Sequence, residues 1–433
     1  MKSQRTLILF AATAFVALLS NILNQTVSTS KFNETYPAVV CPPNTTGLST
    51  AISLTSAKTL ARKTGTSSMA TSPVGFSRYA LSAQSAVIES GEVTPVVWQV
   101  RTGTWAGAAL CSAPKTSEWF VGATADITSK GSLNLVNSGL GRALVDVIIY
   151  TENGQTTPHS IAMKANSFTQ VSLPSLAPGS KMIAIHLITR SGRVNGFVID
   201  ERGKGLRALG GDIVNSTGDP SKNVEIPAIP QQVGKKSSTP HTLRLLVPGD
   251  VDARITAEIK STDGTFSPVG IDGTTIAHKK VIEIPMDITM ASGKFALHIT
   301  SDQPILASVF SKTISSGKGD FIWSTAAENL SEFTLATTGL APTFVFTGGS
   351  IKVNLDLTYT NGAHKQMTIS ADDIATYAAP DNLRSIHFSR ISSGTSGAAL
   401  ISSKSGYGYI PLNAGSKLTK SFVPSSNIRV LNP

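Results

Sequence analysis

Three stretches of this chain can be laid over one another, and that repetition constrains the fold more tightly than composition does. "VDVIIYTENGQT" (145–156), "ITAEIKSTDGTF" (255–266) and "VNLDLTYTNGAH" (353–364) each alternate apolar and polar residues, then reach Asn-Gly or Asp-Gly. Period-2 alternation puts every second side chain on one face of a strand. It assigns a buried face to Val145, Val147 and Ile149, to Ile255, Ala257 and Ile259, and to Val353, Leu355 and Leu357. The dipeptides Asn153-Gly154, Asp263-Gly264 and Asn361-Gly362 suit a type I′ hairpin turn, whose two central residues both need positive φ.

Downstream of each turn lies an apolar strand holding one histidine: "IAIHLITR" (183–190), "FALHITSD" (295–302) and "RSIHFSRI" (384–391). Ile185 and Leu187 flank His186, Leu297 and Ile299 flank His298, and Ile386 and Phe388 flank His387. The flanking residues share one face, so each imidazole takes the other. A zinc site needs its ligands within ~2.0–2.3 Å of one ion, whereas equivalent positions in successive repeats lie apart. The histidines therefore mark repetition, and neither metal nor cofactor is expected.

The fold expected is all-β: tandem β-sandwich, immunoglobulin-like domains after a single N-terminal transmembrane or signal segment. With 433 residues, the chain has room for about three domains of ~100–200 residues. A signal anchor is expected over 1–27, and a Ser/Thr-rich spacer with a small β region over 28–115. Sandwich repeats follow at 116–238, 239–330 and 331–433. "VNSTGDPSKNVEIPAIPQQVGKKSSTP" (214–240) and "SSGKGDFIWSTAAENLSE" (315–332) read as the connections between repeats.

"MKSQRTLILFAATAFVALLSNILN" sets Lys2 and Arg5 before an apolar run from Leu7 to Leu23, with no charge until Lys31. The basic flank keeps that end cytoplasmic and sends residues 28–433 outside. No clean Ala-x-Ala site follows, so a single-pass, uncleaved anchor in the cell membrane is expected, with secretion after cleavage as the alternative. Outside the cytosol the two cysteines, Cys41 and Cys111, are expected to form a disulfide. Closing a loop of that size contributes roughly 4 kcal/mol in the chain-entropy model.

The order of several segments resembles exported actinobacterial proteins catalogued only as a domain of unknown function. The segments are "CPP" (41–43), "CSAPKTSEWFVG" (111–122), "LNLVNSGLGRALVDVIIYTENG" (133–154), "GRVNGFVIDERGKGLRALGGD" (192–212) and "LRLLVPG" (243–249). The resemblance spans roughly 39–430 and implies an envelope protein with an N-terminal membrane segment and paired cysteines. Such proteins are often encoded beside a multi-pass glycosyltransferase-like protein, which hints at cell-wall work. The resemblance implies no catalytic residues.

No His-Glu-x-x-His, Gly-x-Ser-x-Gly or Walker motif occurs. Ser-x-x-Lys stands at Ser28–Lys31, Ser112–Lys115 and Ser315–Lys318, but Lys-Thr-Gly (63–65) falls in the expected spacer, out of order for penicillin-interacting enzymes. Asp200-Glu201 and Asp372-Asp373 read as solvated loop acids, because neighbours on a strand face opposite sides and form no preset acid pair. Trp98, Trp105, Trp119 and Trp323 read as core or inter-sheet anchors. With 37 Lys+Arg against 27 Asp+Glu, the net charge is +10, which favours anionic partners; no nucleic-acid motif accompanies it. Lys181, Arg190, Arg193, Arg202, Lys204 and Arg207 form the candidate anion-binding segment, several of them in glycine-containing turns. The expected function is a non-enzymatic, membrane-tethered scaffold or interaction module of the envelope. Its partner would be an envelope protein or an anionic wall polymer. The alternative is glycan binding or processing at the cell surface.

Overall fold

Alternation becomes burial along the three aligned strands. Val145, Val147, Ile149, Ile255, Ala257, Ile259, Val353, Leu355 and Leu357 are all buried, and the residues between them are exposed or half-buried. The computed structural model describes residues 38–415 apart from 46, 57–58, 66–71, 74–77, 82–83, 90–92, 102–104, 234–238, 289, 292 and 316. The expected signal anchor lies outside the described residues. Among those residues no helix is long and apolar enough to cross a membrane. The one helix described, α1 (Leu173–Leu176), is a single turn; the rest is strands and their connections.

One strand order recurs four times, in segments that we number units I to IV. In unit I one sheet runs β1 (Val39–Cys41), β6 (Ala86–Glu89), β3 (Leu60–Lys63), β4 (Ser72–Pro73). Its second sheet runs β5 (Arg78–Ala80), β2 (Ser49–Ser53), β8 (Val96–Arg101), β9 (Trp105–Leu110). Unit II begins with β10 (Ser117–Val121), β16 (Ile183–Ser191) and β12 (Ala143–Thr151), and β12 also pairs β13 (Gly154–Gln155) and β14 (His159–Met163). Its second sheet runs β15 (Ser167–Ser172), β11 (Ser132–Asn137), β17 (Val194–Lys204), β18 (Arg207–Val214).

Unit III repeats this with one long strand, β25 (Gly293–Ser315), serving both sheets. The first half of β25 lies between β19 (Ser221–Gln231) and β21 (Ala253–Ser261), which also pairs β22 (Gly264–Phe266) and β23 (Thr274–Ile276). Its second half lies between β20 (His241–Leu246), itself paired with β24 (Val281–Met286), and β26 (Lys318–Thr325). Unit IV runs β27 (Phe333–Ala336), β32 (Leu383–Ser389), β29 (Ile351–Tyr359), β30 (His364–Ala371). Its partner sheet runs β31 (Ile374–Ala378), β28 (Thr343–Thr347), β33 (Ser396–Ser403), β34 (Gly406–Pro411). The two sheets of each unit share one apolar core, as when Val145 and Ile185 meet Leu135 and Val198 in unit II. The stretch 28–115, expected to hold a Ser/Thr-rich spacer and a small β region, has nine strands among its described residues, eight of them in the order seen in the other units.

The units also close on one another. Val40, Val87, Val136 and Phe197 join I to II, and Trp119, Tyr150, Leu246 and Leu306 join II to III. Ile322, Val345 and Tyr409 join III to IV, while Val96 and Trp98 enter the core of IV. The ninth strand of the first stretch, β7 (Val93–Thr94), adds in parallel to β27 and ties unit IV back to unit I. The last strands of the units, β9, β18, β26 and β34, pack against one another in cyclic order. Glycine permits that approach: a Cβ on Gly211 would collide with the Trp105 indole, and one on Gly408 with Trp98.

Two local expectations need correcting. Of each turn dipeptide only the glycine has positive φ (Gly154 124°, Gly264 126°, Gly362 84°), so the turns are not type I′. In the first two, Thr151 and Ser261 pair with the glycine itself, and their hydroxyls accept the N–H groups of Asn153 and Asp263. The glycine stands just past the corner and absorbs the twist alone. Neither connecting stretch is a bare linker either, since 214–240 contains β19 and 315–332 contains β26. Pro227 and Pro230 disguise β19, yet it is an edge strand whose register shifts between Ile226 and Ile229 around Ala228 (φ 59°).

Candidate functional site

The hairpin β17–β18 meets β25–β26 along the seam between units II and III, and the acids gather there. Asp200 and Asp212 sit opposite each other across β17 and β18, hence on one face. Asp200 Oδ2 accepts the Trp323 indole N–H at 2.9 Å, and Asp212 Oδ2 accepts the Trp323 backbone N–H at 2.7 Å. Asp320 Oδ1 accepts the Gly211 N–H at 3.0 Å. All three carboxyls are buried. Burial raises Asp212 well above the usual carboxylate range and pushes Asp320 up to about 7, despite the N–H donors.

Two arginines balance this cluster. Arg202 pairs with Asp200 through Nη2 at 2.8 Å, its guanidinium carbon 4.8 and 4.7 Å from the ring centres of Phe310 and Phe321. Arg244 of unit III lies over the Trp323 ring, binds Glu283 at 2.6 Å and donates to the carbonyls of Ala123 and Ile183 in unit II. The inner seam is therefore buried and cross-linked by hydrogen bonds and ion pairs. Its chemistry is that of a joint, because every acid points at a protein donor.

The outer end of the same seam is open. A cleft of about 760 Å³ lies between Leu209, Arg202 and Thr128 of unit II and Val233, Pro240, Phe310, Lys312, Ile314 and Phe321 of unit III. Phe310, Lys312 and Ile314 alternate along β25 and so face it together. Elsewhere a cavity of about 50 Å³ adjoins Glu118, whose Oε2 accepts the Gly196 N–H at 2.8 Å. Burial raises Glu118 to about 7, opposed by Lys115. That cavity has room for no more than a few water molecules, at ~10–15 Å³ each.

The six cations of the candidate anion-binding segment are not brought together. Lys181 precedes β16, and Arg190 near its end is bound to Asp146 at 2.7 Å; Arg193 lies in the turn after it. Arg202 and Lys204 are at the far end of β17, whose 11 residues span roughly 35 Å, and Arg207 opens β18 beside them. Of that trio Arg202 is committed to Asp200, leaving Lys204 and Arg207 exposed. Asp200, read as a loop acid, is fully buried in β17, while Glu201 pairs with Arg101 at 3.1 Å. Asp372 and Asp373 do lie exposed in a turn.

Each histidine stays within its own sheet, on the face opposite its buried neighbours. His186 pairs across the strands with Trp119, His298 with Glu225 and His387 with Thr334. His186 stacks on Trp119 with ring centres 3.6 Å apart, and burial pulls it down to about 4. His298 Nδ1 lies 2.8 Å from Glu225, and His387 Nδ1 bonds Thr334 Oγ1 at 3.0 Å. In unit I the corresponding pair is Val40 and Val87, which is why the motif does not extend there. Cys41 and Cys111 form a disulfide that joins the end of β1 to the residue after β9. Trp98, Trp105, Trp119 and Trp323 are all buried at contacts between units.

Asp212, Asp320, Phe310 and Phe321 escaped the sequence reading. The aromatic run "DFIW" (320–323) inside a supposed linker was the available signal. No curated protein matches the chain. A family model does, from residue 66, beyond β3 of unit I, to the end of β31 in unit IV, crossing all four units. With residues 66–378 matched, the chain belongs to DUF5719, a family of unknown function.

Proposed function

We propose that this chain is a non-enzymatic protein of the cell envelope, exported and tethered by its N-terminal segment, that works as a scaffold or interaction module. One observation carries the reading: the acids gathered at the seam between units II and III, Asp200, Asp212 and Asp320, are buried and spent on N–H donors and Arg202. Buried polar groups so paired fix one arrangement of neighbouring units. Four sandwiches packed on one another, two of them locked in that way, offer a stable surface for a partner. Fractionation of cells, combined with external protease treatment and affinity capture of the full chain from envelope extract, tests this. Recovery in the membrane fraction, sensitivity to external protease and a stoichiometric envelope partner are expected. A cytoplasmic, protected protein would refute the reading.

A second reading, binding of anionic wall polymer, draws on Lys204 and Arg207, which are exposed at one hairpin turn and form no ion pair among the described residues. Lys204→Ser with Arg207→Ser is the informative variant, since Arg202 belongs to the seam. Exposed contacts of this kind weaken as the Debye length falls from ~10 Å at 0.1 M salt to ~3 Å at 1 M. Polymer binding that survives both the substitution and high salt would remove the hairpin from consideration.

A further inference from the structure

The cleft at the outer end of the II–III seam combines two properties that seldom serve the same small ligand. Its walls are apolar, formed chiefly by Leu209, Val233, Pro240, Phe310, Ile314 and Phe321, and its volume of about 760 Å³ lies within the range of ~300–1,000 Å³ typical of ligand sites. Its mouth is cationic. Lys312 projects between Phe310 and Ile314 on the same face of β25, and Arg207 shares the face of β18 that carries Leu209. Lys204 and Lys318 stand at the two adjoining hairpin turns.

None of these four cations forms an ion pair among the described residues. Of the acids nearby, Asp200 is bound by Arg202, Glu201 by Arg101, and Asp320 is buried against the Gly211 N–H, while Asp126 accepts from the N–H and hydroxyl of Thr128 and acts on Arg202 from a distance. Large apolar side chains also stand in solvent around this end. Ile127 and Leu206 are fully exposed, and Val233 and Ile314 are about half exposed (50% and 57%). Thr128 and the β17–β18 hairpin are stitched together by the Gly203 N–H to the Thr128 carbonyl, which places Ile127 beside the mouth.

A small soluble anion would use the lysines and leave the apolar walls wet. A neutral apolar guest would leave the cations without partners. A ligand with a hydrocarbon chain and an anionic head uses both. The geometry points to this cleft as a binding site for an acidic phospholipid, one acyl chain lying along Phe310, Ile314 and Leu209 and the phosphate head meeting Lys312 and Arg207. This names the ligand class of the interaction module proposed above and rests on that reading.

The test uses the full chain reconstituted in phosphatidylcholine vesicles containing a trace of phosphatidic acid with a photoactivatable acyl chain. A second preparation carries the same photoactivatable chain on a choline headgroup. Irradiation and peptide mapping should place adducts on segments 209–214 and 310–321, at least tenfold more with the acidic probe. Ile314→Asp and the pair Lys312→Glu, Arg207→Glu should each cut that labelling at least tenfold. All three positions are exposed, so retention of the disulfide and an unchanged unfolding midpoint would confirm that the variants fold. Equal labelling by the two probes would overturn the anionic specificity. Adducts confined to other segments, or undiminished in both variants, would overturn the site. Envelope location fails by fractionation instead, so the two failures are distinguishable.

Discussion

The inner and outer halves of the seam between units II and III are built on the same four strands, β17, β18, β25 and β26, yet they behave as opposites. In the inner half Gly210 lets β18 approach Asp320 and Phe321 of β26, and Trp323 is held by Asp200 through its indole and by Asp212 through its backbone. In the outer half the alternation delivers Phe310, Lys312 and Ile314 to the facing surface, and the strands enclose a cleft. A charged or branched side chain without a partner holds two sheets apart, whereas glycine and a satisfied acceptor draw them together. Arg202 marks the boundary, paired inward with Asp200 and lining the cleft outward.

The inner half should be the costly one to disturb. Trp323→Ala empties a fully buried site and is expected to cost ~3–5 kcal/mol, read from urea unfolding. A cost below 1 kcal/mol would mean the seam is not packed as described. Trp323→Phe keeps most of the volume but leaves Asp200 without the indole donor, so ~1–3 kcal/mol is expected.

A subtler contrast is in pH. Asp320 and Glu118 each have a folded pKa raised to about 7, so the stability they contribute is complete below about 4 and is lost as pH rises through 7. His186 and His241 are lowered by burial from 6.5 to about 4, so their contribution is present above 6.5 and is lost as pH falls towards 4. The two sets oppose each other between roughly pH 4.5 and 6.5, flattening the profile there. Asp320→Asn removes one falling contribution, and its advantage over the parent should grow from pH 5 to pH 7 and then level off. Parallel profiles for the two proteins would show that Asp320 does not titrate in this window. The outer half should tolerate change: Leu206→Ser is expected to stay within about 0.5 kcal/mol of the parent in unfolding stability.

This contrast also explains how much could be read beforehand. The alternation at 145–149, 255–259 and 353–357 exposed three units directly, since a half-buried strand writes its burial into every second residue. The histidine positions followed from the same rule. Unit I escaped because its strands are only two to six residues long and because Val87 replaces the marker histidine. The buried role of Asp200 was hidden as well, because its hydrogen-bond donor, Trp323, lies 123 positions away in sequence. Closure between units depends on such distant pairs, and local periodicity carries no trace of them.

The account stands on that closure, above all on the contact between the first and last units. Trp98 of unit I is packed in the core of unit IV, while β7 extends the sheet of β27. Amide hydrogen exchange of the full chain, parent against Trp98→Ala, examines this contact most directly. The closed arrangement predicts faster exchange in unit I and also in β27, β28 and β32 of unit IV, with units II and III affected least. Acceleration restricted to unit I, with unit IV as protected as in the parent, would contradict it.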